Sequence, residues 1–217
     1  MYLTALISHL VALALTVLML ASSFVVAGTA EDFHITKGEV LPQGFEYAPL
    51  RMTGTVGDVT LNHTGTIEEI LAKVVDEHPE FKIEDVQTAA SPIVSTLDKV
   101  DKRTKSDFVC YPFAGQPNWR PAINRWISEG IAYLQHVNAL CWVDGNKCAR
   151  ISCSWGSAIS LCNVTPNPKG LSCAYMASYA QEIKDRCTIT RRKLPDECGG
   201  QFWDTEGYNI NVFRDSC

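Results

Sequence analysis

Cysteine is the residue type whose number and spacing carry chemistry in this chain of 217 residues. All nine cysteines lie between Cys110 and Cys217, and the first 109 residues hold none. Nine in the last 108 residues is about 8%, the density of an oxidised secreted scaffold. No CxxC pair occurs. The close spacings are Cys141 to Cys148, Cys148 to Cys153 and Cys153 to Cys162. Zinc ribbons and fingers use tighter pairs, usually with histidine. Disulfides are therefore the expected chemistry, and neither a metal nor a cofactor is expected. Nine is odd, so one thiol is free, pairs with another chain, or carries a small thiol.

Catalytic constellations are sparse. After residue 103 the only histidine is His136. A Ser-His-Asp triad or a histidine-based ribonuclease would have to use it. Glu129 and Arg125 share its helical ridge, but a solvated polar face is the simpler reading of that ridge. There is no GxSxG and no glycine-rich phosphate loop. Asp144, Glu182, Asp196, Glu197, Asp204 and Glu206 offer carboxylates for glycoside hydrolysis, as the surface of any exported protein would. Five tryptophans stand at 119, 126, 142, 155 and 203. An exposed row of them could bind sugars or a protein partner. Trp126 and Trp155 fall on apolar faces and read as core.

The layout is that of a precursor. Leu6 to Val26 is almost continuously apolar, and small residues follow at Ala27, Gly28 and Ala30, which reads as a signal peptide over residues 1–30, the alternative being an uncleaved membrane anchor. Residues 31–103, with 7 basic against 14 acidic residues and no cysteine, read as an acidic pro-region, the alternative being an ordinary N-terminal subdomain that stays attached. The segment ends at the dibasic pair Lys102-Arg103, a site for a kexin-type protease that would leave Thr104 as the new N-terminus. Residues 104–217, with 12 basic against 10 acidic residues, form the cysteine-rich mature domain. That near-neutral balance is not the basic footprint of a nucleic-acid binder, so no nucleic acid is expected as a partner. Arg191-Arg192-Lys193 lies between cysteines and reads as a solvated loop. Asn62-His63-Thr64 and Asn163-Val164-Thr165 are N-glycosylation sequons, and the second sits beside Cys162, where folding can block it.

The elements that must position these residues follow from periodicity. Val56, Val59 and Leu61 fit a short strand. Thr66 and Glu69 make a capping-box pattern ahead of a helix with Ile67, Ile70, Leu71, Val74 and Val75 on its apolar stripe, ended by Pro79. A weaker amphipathic piece runs from Ile83 to Leu97. In the mature domain Pro121 opens a helix carrying Ile123, Trp126, Ile127, Ile131, Leu134 and Val137. Cys148–Trp155 alternates as a half-buried strand, turned at Gly156-Ser157 into a hairpin partner over Ala158–Val164. A second helix spans Ser172 to Cys187. The last strands are Gln201–Trp203 and Tyr208–Phe213. This order predicts an α+β fold: a small antiparallel sheet with two helices packed on one face, stapled by disulfides.

The stretch from Cys148 to Cys162, the Glu129–Leu134 helix and the ending Asn209-Ile-Asn-Val-Phe-Arg-Asp-Ser-Cys217 resemble a group of small cysteine-rich secreted proteins of filamentous fungi. The resemblance covers residues 108–217, and in architecture the group is similar to fungal killer toxins and necrosis-inducing effectors. It implies Cys110, Cys148, Cys153, Cys162, Cys187 and Cys217 as the core cysteine set. Cys173 and Cys198 would then form an extra bridge, leaving Cys141 as the free thiol. A direct Cys153–Cys162 bridge across the turn is geometrically allowed. Longer connections to a helix, for instance through Cys187, constrain the unfolded chain more and are the expected ones. The function implied is a secreted, non-enzymatic effector or toxin-like protein acting outside the producing cell. Its partner would be a host or competitor protein, a membrane or a cell-wall component. A secreted hydrolase, ribonuclease-like or acting on wall glycan, and a lectin-like wall-binding module are the alternatives.

Overall fold

A computed structural model describes residues 45–84, 105–112 and 119–217. The segment read as a signal peptide, the Lys102-Arg103 pair and the Ile83–Leu97 piece beyond Glu84 lie outside the described residues. The described residues belong to one compact unit, and its class is α+β.

The cysteine-free segment is built into this unit. It contributes β1 (Glu46–Tyr47), β2 (Arg51–Val56), β3 (Val59–Thr64) and α1 (Ile67–Glu77). The capping box forms as its residues imply: Thr66 Oγ1 accepts from the Glu69 amide, and the Glu69 carboxylate accepts from the Thr66 amide at 2.9 Å. Ile67, Ile70, Leu71 and Val74 are fully buried, as a stripe with that spacing requires.

The cysteine-bearing part supplies β4 (Lys105–Cys110), β5 (Ala122–Ile123), α2 (Asn124–His136), β6 (Asn138–Val143), β7 (Lys147–Ser154), β8 (Ser157–Asn163), β9 (Lys169–Ser172) and α3 (Cys173–Cys187). After these come β10 (Thr188–Ile189), β11 (Glu197–Cys198), β12 (Gly200–Asp204) and β13 (Tyr208–Arg214). In place of one small sheet, the strands among the described residues form three. A six-stranded sheet runs β1-β7-β8-β13-β12-β4, with β1 parallel to β7. A four-stranded sheet runs β3-β2-β6-β9, and a small third one runs β10-β11-β5. Strand β6 follows helix α2 with no turn residue between them. Its alternation buries Ala139, Cys141 and Val143 and leaves Leu140 40% exposed.

A main core joins the helices to the sheets. Ile127, Ile131 and Leu134 of α2 and Met176, Tyr179 and Ile183 of α3 meet Ile159, Leu161, Ile210 and Val212 of the large sheet. Helix α2 comes close to β7 because residue 130 is glycine: a Cβ there would lie 2.0 Å from Ser152 Oγ. The opposite face of the sheet is also buried: part of it is polar, and part is a small apolar cluster of Trp119, Cys153, Ala158 and Phe213. Gln201 donates to Asn211 Oδ1 at 2.9 Å, and Asn211 donates to Asn209 Oδ1 at 2.7 Å. These bonds offset part of the desolvation cost of a buried polar layer, while the Asn209 Nδ2 group is buried without a partner.

Four disulfides close the fold: Cys110–Cys187, Cys141–Cys173, Cys148–Cys162 and Cys153–Cys217. Two expectations are corrected. Cys141 is bonded to Cys173, because β6 and the start of α3 are brought together by the β6–β9 pairing. The free cysteine is Cys198, fully buried in β11. Cys153 does form a long connection, but through Cys217 and not Cys187. Four bridges are what an oxidising compartment produces. No helix among the described residues is long and apolar enough to cross a membrane.

Burial pushes the Cys198 thiol up to about 12, and burial with the Asp204 carboxylate nearby pushes Tyr179 and Tyr208 well above the usual phenol range. These groups are neutral when folded. The stability they contribute is intact below their ordinary values near 9 and 10 and is lost as pH rises toward the folded ones. The unfolding temperature should therefore fall on the alkaline side, starting above about pH 9. A thiol reagent should leave the native chain untouched and label Cys198 alone after denaturation. Cys141→Ser should cost about 2–5 kcal/mol in thermal unfolding, as loss of a native bridge does.

Candidate functional site

The hairpin β7–β8 sets the site. Its strands pair from Lys147↔Asn163 to Ser154↔Ser157, with a bulge between Arg150 and Ser152. The bulge shifts the alternation by one residue. Ile151 stays in the main core, Ser152 faces α2, and Cys153 moves to the opposite face beside Trp119, Ala158 and Phe213. The turn is consequently Trp155-Gly156, one residue earlier than the sequence pattern implied. Both residues have positive φ, 50° and 71°, as a two-residue type I′ turn demands.

That correction places Trp155 at the hairpin tip, 76% exposed, and not in the core. Asparagine or glycine suits this position. A bulky side chain with positive φ is a strained choice. Trp155 stacks on Trp126 with ring centroids 5.5 Å apart and planes at 25°. Trp126 is half-buried at the start of α2, and the Arg125 guanidinium sits 4.7 Å from its ring centroid. The Ile123 amide donates to Ser157 Oγ at 3.1 Å, which ties the hairpin tip to the entry of α2. The result is a fixed pair of indoles beside a cation on the surface.

The other tryptophans have structural work. Trp119 is buried and stacks on Phe213 at 5.1 Å. Trp142 donates to Thr53 Oγ1 at 2.9 Å and lies flat on Gly170. Trp203 donates to Gln201 Oε1.

A cleft of about 470 Å³ opens where the cysteine-free segment meets β7. Tyr47, Glu68, Glu69, Arg150 and the Cys153–Cys217 bridge are among its walls. Glu68 accepts from Ser152 Oγ at 2.5 Å and from the Cys153 amide at 3.0 Å. Arg150 donates to Asp215 Oδ2 at 2.7 Å, and its guanidinium lies 4.0 Å from the Tyr47 ring centroid. Tyr47 also donates to Asp215, and burial followed by the Asp215 charge holds its phenol well above the usual range. Every one of these charged groups is committed to a neighbour, so the cleft is a joint between segments. The sequence showed Glu68 only as a helix-start residue, and nothing in it pointed to Arg150.

The catalytic candidates do not assemble. His136 Nδ1 lies 2.6 Å from the Ala132 carbonyl oxygen, Glu129 accepts from Tyr133, and Arg125 faces Trp126. Burial and Glu129 push the Tyr133 phenol up to about 12. Glu182 pairs with Lys105, Glu197 with Arg191 and Arg214, and buried Asp204 accepts from Tyr179. Asn62 is exposed on β3 and open to a glycan. The Asn163 sequon is closed: its amide is buried and donates to the Asp144 and Asn167 carbonyls.

No family model, curated protein or solved structure matches this chain. What the fold and site define is a class, an α+β disulfide-stapled protein with a surface indole pair.

Glu68 gives a direct check of the joint. Glu68→Ala strands the Ser152 hydroxyl and the Cys153 amide, so it should cost about 1–3 kcal/mol in chemical unfolding. Glu69→Ala, which removes only half of a surface capping box, should cost less.

Proposed function

We propose that this protein is a secreted effector or toxin-like binder that acts outside the producing cell, on a host or a competing organism, by contact and not by catalysis. The observation that carries this is Trp155. A tryptophan at a strained turn position, 76% exposed and braced by a second indole, serves stability poorly and recognition well. The apolar leader and four disulfides support export. The partner is a host or competitor protein, membrane or wall component that accepts a flat apolar surface beside a positive charge. Stacked indoles also suit the face of a pyranose ring, which favours wall glycan as the second reading.

Trp155→Asn tests the assignment. Asparagine fits the Asn-Gly turn, so relieved strain should offset the lost stacking and keep stability within about 1 kcal/mol. Applied at micromolar dose to plant leaf tissue and to competing microbes, wild type should cause death, growth arrest or a defence response. Trp155→Asn should not. An inactive wild type, or an equally active variant, would refute the proposal. Retention on chitin or glucan that disappears in the variant would select the wall-binding reading.

A further inference from the structure

We propose that cutting the chain between residues 84 and 105 does not release the cysteine-free segment: residues 45–84 remain on the stapled part as a non-covalent second chain. The inference rests on reading Lys102-Arg103 as a processing site. None of the four bridges reaches residues 45–84, so after a cut only weak forces hold them.

Those forces are those of a protein interior. Strand β2 lies inside the four-stranded sheet and pairs with β6 from Arg51↔Trp142 to Thr55↔Asn138. Leu50, Met52, Val56 and Leu61, with Ile67, Ile70, Leu71 and Val74 of α1, are each no more than 1% exposed, in the same cluster as Cys141, Ile131 and Ile151. The Ala48 amide donates to the Cys148 carbonyl at 2.8 Å, Lys147 donates to Glu46 at 2.5 Å, and Glu68 holds Ser152 and Cys153. Departure of the segment would bare one edge of β6, its apolar face and the flank of β7. It would also leave the Ser152 hydroxyl, the Cys153 amide and the Trp142 indole N–H without their partners. A long bare edge beside an apolar face is an aggregation site, whereas a buried seam of this kind is what permanent complexes use.

On the other side of the cut, the chain end is fixed. Lys105 Nζ bonds Glu182 at 2.6 Å and Ser178 at 3.0 Å, β4 pairs with β12, and Cys110 is bridged to Cys187. The cut therefore leaves both flanking segments in place.

The test uses the purified full-length secreted protein, cut with a kexin-type protease and passed over a sizing column without reductant or denaturant. Both chains should co-elute at one to one and appear as one species by native mass spectrometry. Hydrogen exchange at the β6 amides should stay within about threefold of the uncut protein, and separation should need denaturant but not reductant. Release of the segment under native conditions, whether the remainder stays folded or precipitates, overturns the proposal. If the dibasic pair resists the protease, a recognition sequence for another protease placed between residues 85 and 104 supplies the cut. Resistance at Arg103 then counts against the processing reading alone. Met52→Ala, which removes a core contact while keeping the ladder, should speed dissociation of the cut complex tenfold or more. An unchanged rate would show that β2 is not what holds it.

Discussion

The pairing of β2 with β6 is the interaction on which the arrangement rests. Strand β6 carries Cys141, whose bridge to Cys173 fixes the start of α3, and it also pairs with β9. With β2 on its other side, β6 is an internal strand and both of its ladders are satisfied. Backbone groups in a buried sheet must find partners, so the small stapled part depends on chain from outside its disulfide framework. The division of labour is physical. Bridges limit the unfolded ensemble over residues 110–217, while the cysteine-free segment contributes only burial and hydrogen bonds.

The helices and the final hairpin were legible in the sequence because their periods survive intact. Thr66 and Glu69 announced α1, the spacing of Ile127, Ile131 and Leu134 announced α2, and the alternation of Tyr208, Ile210 and Val212 announced β13. Strand β6 was not legible. It follows α2 without glycine or proline, and its outward positions hold Leu140 and Trp142 in place of polar residues. The role of the early segment was hidden for a related reason. Composition marks residues 31–103 as different, but pairing between β2 and β6 is long-range and leaves no local period.

The site was missed through a single backbone event. Strict alternation from Ala149 puts Ile151, Cys153 and Trp155 on one buried face. The bulge after Arg150 adds one residue to the strand and turns everything beyond it over. Cys153 then meets Cys217, and Trp155 reaches the tip. Bulges leave no clear mark in a strand pattern, so the same irregularity hid both a disulfide partner and the exposed indole. The cysteine pairing was equally out of reach, since eight bridged cysteines allow 105 connectivities.

Cys198 has a kinetic consequence. Its strand pairs Cys198 with Thr188, next in sequence to bridged Cys187. A thiol so placed is a natural attacker of a neighbouring bridge, and exchange proceeds through the thiolate. Burial keeps that thiolate scarce by pushing the thiol up to about 12. The fold thus disarms its own odd cysteine: once the four bridges have formed around it, the chain loses the nucleophile that would reshuffle them.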